Sequence, residues 1–116
     1  MEHNHAIREE LRDPALALRE LIPDVLKGYG AMSVAAMSVG ELSVAMKELL
    51  ALAIAVTREC DGCIVAHARG AARAGATRQE VAEMAGVAIM MNGGPGTVWG
   101  PRALRSFDEA LDALTS

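Results

Sequence analysis

Residues 43–59 decide the fold, and they read SVAMKELLALAIAVTRE. The segment from Leu49 to Val56 is an unbroken apolar run, which leaves no polar face for solvent. A helix that is apolar on every side is a buried one. Ser43 can act as its N-cap, because a serine oxygen accepts a hydrogen bond from the free N–H groups of a first turn. We therefore expect a buried central helix from Ser43 to about Glu59.

Further helix signals lie on both sides of this segment. Proline is accommodated in the first turn of a helix, and glycine commonly ends one. Thr77 followed by Glu80 matches the capping box that opens a helix. Gly28 and Gly30 interrupt the second pattern, and residues 31–40 favour neither helix nor loop. The predicted helices are Pro14 to Leu21, Pro23 to about Tyr29, Asp61 (as N-cap) to about Ala74 with Gly75 as its stop, Thr77 to about Met91, and Val98 to about Leu114 after a break at residues 92–96.

The composition agrees with an all-α fold. Of the 116 residues 52% are apolar, but only 3% are aromatic. Alanine, leucine and methionine favour helices, whereas β-branched and aromatic residues favour strands. A chain of this length forms one domain, residues 1–116, and it is too small to cover so much apolar surface alone. We expect a helical bundle that oligomerises through apolar helix faces.

The N-terminal segment, residues 1–13, is polar, and we expect it to be mobile, frayed or a short helix. His3 and His5 are candidates for binding a metal, but two histidines near a chain end are usually only solvated. The segment also lacks the basic stretch and apolar core of a signal peptide.

Charge and hydropathy exclude several classes of partner. The net charge is −4 and no block of basic residues occurs, which disfavours nucleic acid and anionic membranes. The longest strongly apolar run, Leu49 to Val56, is far shorter than the ~20 residues that span a bilayer. We expect no nucleic-acid partner, no membrane partner and a cytoplasmic location.

The chain has two cysteines, Cys60 and Cys63, and His67 follows one helical turn after the second. Cysteines at this spacing can close into a disulfide with little backbone movement. If a helix begins at Asp61, the free N–H groups and the dipole of its first turn stabilise a thiolate at Cys63. His67 then lies on the same face as Cys63. Such a pair indicates catalytic, redox or metal chemistry more than a structural role.

Glu48 is the exceptional residue of the central helix. A carboxylate on an apolar stripe loses hydration, and it is retained only if another group pairs with it. Glu48 is therefore a candidate member of the site, and a buried ion pair with Arg69 or Arg73 of another subunit is the alternative. Lys47 beside it is expected to be an ordinary surface residue. The helical neighbours of Glu48 are Val44, Ala45, Ala51, Leu52 and Ala55.

The joint spacing of Glu48, Cys60, Cys63 and His67 resembles the signature of AhpD-like alkylhydroperoxidases, which belong to the carboxymuconolactone decarboxylase superfamily. The resemblance covers roughly residues 40–105, and this combined pattern is far more specific than a dithiol alone. It includes Lys47 to Ala53, Ala74 to Thr77, Glu80, Glu83, Gly93 to Pro95, Ala103 and Leu104.

The resemblance implies an all-helical homotrimer or homohexamer without a cofactor or metal. It also implies a thiol peroxidase that reduces organic hydroperoxides and hydrogen peroxide. Cys63 would attack the peroxide and become a sulfenic acid, which Cys60 would resolve as a disulfide. Glu48 and His67 would form the proton relay. An external dithiol partner, either a lipoylated or a thioredoxin-like protein, would then reduce the disulfide at an accessible Cys60.

The sequence departs from this family pattern at Gly62, where the better-characterised peroxidases have a second histidine. A weaker relay, a different substrate or a slower peroxidase would each fit that change. The chain is also shorter than the two-lobed members, so oligomerisation would supply the missing half.

Other interpretations of the same residues stay open. Cys60, Cys63 and His67, with Glu48 or water as a fourth ligand, form a set that zinc accepts, although structural zinc sites usually pair two separated ligand clusters. A lactone decarboxylase is a further alternative, since the superfamily's name suggests it. That branch would not use a redox dithiol, so the two cysteines count against it. A thiol–disulfide oxidoreductase, or a redox-sensing scaffold, would oxidise without peroxidase turnover. Small thiols can also simply pack in a core.

Overall fold

The computed structural model describes residues 2–116, and Met1 lies outside the described residues. No strand occurs in this part of the chain, which confirms the predicted all-α class. The last four helices pack against one another around the core, and the first two lie on its outside. The helices are α1 (His3–Leu21), α2 (Pro23–Met37), α3 (Val44–Thr57), α4 (Asp61–Arg73), α5 (Arg78–Asn92) and α6 (Gly94–Thr115).

Helix α3 forms where the sequence predicts it, but it is buried on one side only. The Ser43 side chain accepts a hydrogen bond from the Met46 N–H at 3.1 Å, as expected of an N-cap. Leu52 is fully buried, whereas Leu50 is 48% exposed and Ile54 is 63% exposed. The prediction that this helix is buried all round is therefore wrong for the single chain. Its outer face remains available to another molecule.

The capping signals of the later helices are largely confirmed. Thr77 and Glu80 form the reciprocal capping box at the start of α5. Gly75 adopts the left-handed φ of +87° just after α4, a conformation that glycine adopts without steric cost. Helix α6 begins at Gly94 rather than near Val98, because Gly93 at φ +68° reverses the chain within one residue.

The first helix is longer than the sequence predicts. Helix α1 begins at His3 and continues through Pro14, which we had expected in the first turn. The prediction of a frayed or short segment is thus wrong for residues 3–13. Contacts with the core explain the difference: Asn4 is buried and donates to the Ser106 carbonyl at 2.8 Å, while the Ser106 hydroxyl donates to Asn4 at 2.6 Å.

The second helix begins at Pro23, as predicted, but it continues past Gly28 and Gly30 to Met37. None of its residues is buried in the chain. Lys47 was expected to be an ordinary surface residue, yet its ammonium group donates to the carbonyls of Ala36 and Ser38. A cation that binds the last carbonyls of a helix stabilises its C-terminal end. Lys47 therefore ties the end of α2 to α3.

The core is built from small residues and a few large ones. Phe107, Leu52, Ile64 and Val81 are the largest apolar side chains with almost no exposure. Helices α5 and α6 approach closely, because a Cβ on Gly96 would lie only 2.8 Å from the Ile89 Cα. Within residues 2–116, no helix combines the length and the apolar character needed to cross a bilayer.

Candidate functional site

The turn between α3 and α4 brings the two cysteines onto the start of a helix. Glu59 has a φ of +53°, the one left-handed value found for a non-glycine residue between residues 2 and 116. Such a conformation is costly and is held in place by its surroundings. Here the Cys60 N–H donates to the Ala55 carbonyl at 3.1 Å directly after the turn. Cys60 is thereby held against the end of α3.

Cys60 and Cys63 are joined in a disulfide, with Cα atoms 5.2 Å apart. Cys60, rather than the predicted Asp61, is the N-cap of α4, and its sulfur accepts a hydrogen bond from the Cys63 N–H at 3.2 Å. Asp61 instead occupies the first helical position. Cys63 thus lies within the first turn, as predicted, where free N–H groups and the helix dipole favour a thiolate after reduction.

His67 and Glu48 form a direct pair across α4 and α3. The His67 Nδ1 and the Glu48 Oε1 lie 2.7 Å apart, with the side chains 31% and 15% exposed. An ionised carboxylate can only accept, so the imidazole Nδ1 carries the proton of this bond. The bond leaves Nε2 as the nitrogen that can exchange a proton with another group. The structure therefore brings together the two residues to which the family resemblance assigns a proton relay.

Arg69 and Arg73, the proposed alternative partners of Glu48, lie elsewhere in the chain. They line a separate cavity of about 250 Å³ together with Arg8 of α1. Desolvation, with the nearby charges of Arg8 and Arg73, lowers the pKa of Arg69 from its ordinary value. Within one chain, Glu48 is therefore paired with histidine and not with arginine.

Gly70 is a site residue that the sequence analysis missed. A Cβ built on Gly70 would overlap the carboxylate of Glu48, so only glycine leaves room for that group. Gly70 lies three residues after His67 on the same side of α4, inside the helix, where glycine is normally unfavourable. A glycine at that position was the available signal, and only the packing of α3 on α4 explains it.

The reactive groups open onto a shallow depression of about 210 Å³. Cys63 is exposed in the chain, whereas Cys60 is only partly exposed. The expectation that Cys60 is the more accessible cysteine is therefore not met in the single chain, because Cys60 is held against α3 as a cap. The lining residues are Ala51, Ile54, Ala55, Arg58, Cys63 and His67.

Arg58 was not singled out in the sequence, yet it contributes a positive charge to the depression that also contains Cys63. A cation close to a cysteine favours the thiolate over the thiol. No signal beyond its place two residues before Cys60 distinguishes Arg58 from other surface arginines.

Helix α1 covers the opposite side of the dithiol segment. A Cβ on Gly62 would lie 3.4 Å from the Leu11 Cδ1, which is van der Waals contact with a flexible, half-exposed side chain of α1. The His3 Nε2 lies 3.2 Å from the Asp61 Oδ1. The departure from the family pattern at Gly62 therefore coincides with a helix that packs over that position.

The groups of the zinc alternative are already engaged with one another. The two sulfurs form the disulfide and His67 binds Glu48. Across residues 2–116, no three His, Cys, Asp or Glu side chains are grouped as a metal would require. His3, considered as a metal ligand, binds Asp61 instead.

The sequence comparisons agree on one family. The profile of the carboxymuconolactone decarboxylase family matches residues 23–106. An uncharacterized protein of Cupriavidus necator is 40% identical over 97 residues, which cover 84% of this chain and 85% of the relative. Uncharacterized protein 4 in the cox locus of Paracoccus denitrificans is 35% identical over 79 residues, or 68% of this chain and 71% of the relative.

A solved structure has the same fold over nearly the whole chain. It is the crystal structure of the apo form of a carboxymuconolactone decarboxylase family protein from Legionella pneumophila. The TM-score is 0.89 at 32% identity, and the match covers 93% of this chain and 96% of that chain. The sequence profile and the solved structure therefore lead to one conclusion: the chain belongs to the carboxymuconolactone decarboxylase family.

Proposed function

We propose that this protein is a thiol-dependent peroxidase of the AhpD-like type, an alkylhydroperoxide reductase. The observation that carries the proposal is the shared opening of Cys63 and His67, with His67 bound to Glu48 and Cys63 bonded to Cys60. A cysteine peroxidase needs a thiolate, a group that moves protons and a second thiol that resolves the oxidised sulfur. These four residues supply all three.

The first step uses the reduced protein. His67, oriented by Glu48, takes the proton of the Cys63 thiol on its Nε2, and Arg58 and the start of α4 stabilise the thiolate. The sulfur attacks the terminal peroxide oxygen, and the O–O bond breaks. Cys63 becomes a sulfenic acid, and the alkoxide leaves as an alcohol after it receives the proton from His67.

The second step closes the disulfide. The Cys60 thiol attacks the sulfur of the sulfenic acid, the S–S bond forms and the oxygen leaves as water. An external dithiol then reduces the disulfide in two exchange reactions and is itself oxidised to a disulfide. Per cycle, one hydroperoxide and one external dithiol yield one alcohol, one water and one partner disulfide. We propose a lipoylated or thioredoxin-like protein as this partner.

A second candidate function is thiol–disulfide exchange without peroxide. The observation in its favour is that Cys63 is the more exposed cysteine of the oxidised protein. Exchange requires a partner thiolate to reach one sulfur of the disulfide. In this alternative Cys63, and not Cys60, is the sulfur that the partner attacks.

The deciding experiment mixes fully reduced, metal-stripped protein with a near-stoichiometric organic hydroperoxide and quenches the reaction over time. Intact mass reports the loss of two hydrogens as the disulfide forms, and Cys60→Ser and Cys63→Ser are measured in parallel. We expect fast disulfide formation in the unmodified chain and a trapped sulfenic acid in Cys60→Ser only. Slow oxidation in every form, with normal reactivity toward a small disulfide, would reject the peroxidase and support the exchange function.

A further inference from the structure

Helix α1 contacts the dithiol segment, residues 60–63, at the two consecutive residues Asp61 and Gly62. The Leu11 side chain packs over Gly62, and the His3 imidazole reaches the Asp61 carboxylate at 3.2 Å. Asp61 and Gly62 both lie between the two cysteines in the sequence. Residues 60–63 therefore have two different neighbours: the depression that contains His67, and helix α1.

The end of α1 that carries His3 is held firmly against the core. The His3 backbone N–H donates to the Glu109 Oε1 at 2.7 Å. The next residue, Asn4, is buried and forms two hydrogen bonds with Ser106. These bonds fix the backbone at His3, so the fold places the His3 imidazole within reach of Asp61.

Asp61 opposes the chemistry of the cysteines unless its charge is balanced. Its carboxylate occupies the first helical position of α4, directly between Cys60 and Cys63. A negative charge close to a thiol disfavours the thiolate, and it competes for the same positive end of the helix. Because an ionised carboxylate only accepts hydrogen bonds, the His3 Nε2 donates its proton to Asp61 and withdraws part of that charge from the thiols.

We propose that His3 is a positioning residue of the redox site: it holds and partly neutralises Asp61, and thereby keeps the reduced cysteines reactive. This inference rests on the proposed redox function of the dithiol. The role of His3 is indirect, because it contacts Asp61 and contributes no atom to the reaction itself. The dependence of thiol reactivity on a residue nearly sixty positions earlier in the chain is its distinguishing consequence.

Other charged groups also act on these thiols and must stay unchanged in the test. From α4 itself these are Asp61 and His67, and from α3 they are Glu48 and the neighbouring Arg58. From α1 they are His3, whose own backbone is bound by Glu109 of α6, and the charged residues that line a cavity beside Gly62. These are His5, Arg8, Glu9, Arg12 and Arg19, and Arg69 of α4 lines the same cavity. The experiment therefore alters only the pair His3–Asp61.

The test measures how fast iodoacetamide alkylates the fully reduced protein across a series of pH values, with the first alkylation followed by intact mass. Only the thiolate reacts, so the midpoint of the rate profile reports thiolate formation. For His3→Gln we expect the midpoint to rise by about half a pH unit, with about threefold slower alkylation below it. For His3→Lys, which places a cationic donor at this position, we expect a midpoint no higher than in the unmodified chain.

The decisive comparison repeats His3→Gln in an Asp61→Asn background, where the charge to be balanced is absent. We expect Asp61→Asn alone to lower the midpoint and the added His3→Gln to leave it unmoved. Glu10→Gln, an exposed residue of the same helix that lines neither the cavity beside Gly62 nor the depression of Cys63, is the control and should match the unmodified chain. An equal shift from His3→Gln in both backgrounds, or no shift in either, would overturn the proposal.

The outcome is separable from that of the proposed peroxidase. Alkylation requires neither peroxide nor an external reductant, so an absence of peroxide turnover in the unmodified chain would reject the enzyme function while the alkylation profile still tests His3. In the opposite case, an active peroxidase whose profile ignores His3 would retain its function and lose this inference.

Discussion

The absence of a side chain at Gly70 makes room for the Glu48 carboxylate. The Glu48 carboxylate occupies the space where the Cβ of any other residue at position 70 would lie. With any other residue at position 70, the Glu48 carboxylate would have to move from the place where it binds His67. Gly86, on the neighbouring helix α5, offers a direct comparison, because a Cβ built there would meet no atom within 4 Å.

We predict that Gly70→Ala is less stable than Gly86→Ala by about 1–2 kcal/mol, because the added methyl group displaces the end of the Glu48 side chain and breaks its hydrogen bond to His67, which offsets the gain in helix propensity. Gly86→Ala should be neutral or stabilising by up to about 1 kcal/mol, as expected for glycine in a helix with free space. Urea unfolding of the oxidised proteins measures both. Equal stabilities for the two variants would contradict the proposed placement of Glu48.

Glu48→Gln tests the relay itself. Glutamine can still contact His67, but it lacks the charge that stabilises a protonated imidazole. Under the proposed mechanism we predict about a hundredfold slower disulfide formation with an organic hydroperoxide at neutral pH. Glu41→Gln, an exposed glutamate before α3, should react at the normal rate. If both variants reacted equally fast, Glu48 would have a structural role only.

At the level of the helices, local capping explains where several of them begin. Thr77 and Glu80 satisfy two backbone N–H groups of α5 reciprocally. We predict that Thr77→Ala lowers the free energy of unfolding by about 1 kcal/mol. Thr115→Ala, which alters an exposed hydroxyl in the last turn of α6, should change it by no more than about 0.5 kcal/mol. Thermal or urea unfolding distinguishes the two, and a silent Thr77→Ala would show that the cap contributes nothing.

The same locality explains how much of the fold the sequence predicts. Helices α3, α4 and α5 carry their caps and stops within a few residues, so their bounds are nearly correct. The extent of α1 is different, because Asn4 finds its partner Ser106 at a distance of 102 residues along the chain. Helix α2 likewise ends where Lys47 of the next helix binds its carbonyls. A sequence pattern over a few neighbouring residues cannot reveal contacts between distant parts of the chain.

The candidate site divides in the same way. The resemblance to a known family named Glu48, Cys60, Cys63 and His67, and the structure joins them in two bonded pairs. The sequence did not single out Gly70 or Arg58, and it offered His3 only as a metal ligand and not as the partner of Asp61. A glycine in a helix or a histidine near a chain end has many ordinary explanations, and only the packing selects among them.

On the scale of the whole molecule, apolar surface is distributed unevenly. Helix α2 has no buried residue, yet Val25, Tyr29, Met32 and Val34 are all mostly exposed. The outer face of α3 adds Ile54. Patches of this kind mark surfaces that contact other molecules. We propose that they contact further copies of the chain in a homotrimer or homohexamer.

Val34→Asp tests this assembly. Because Val34 is 74% exposed, the substitution leaves the core of the chain intact, and we predict a lower mass by light scattering after size exclusion. The unmodified protein should have three or six times the 12.2 kDa of one chain. Lys27→Gln changes the net charge equally on the same helix and should keep the full mass. A monomeric unmodified protein, or an unchanged mass for Val34→Asp, would contradict the proposed interface.

The bond between Asn4 and Ser106 also has a consequence for the order of events during synthesis. During synthesis residue 4 leaves the ribosome 102 residues before residue 106, so this particular bond cannot form until α6 has emerged. Contacts between distant parts of a chain form late, after the local helices. Until then α1 has α4 to pack against, but its contacts with Gly62 and Asp61 lack the anchor that Asn4 provides on α6. The surroundings of residues 60–63 are therefore complete only when the chain closes on itself.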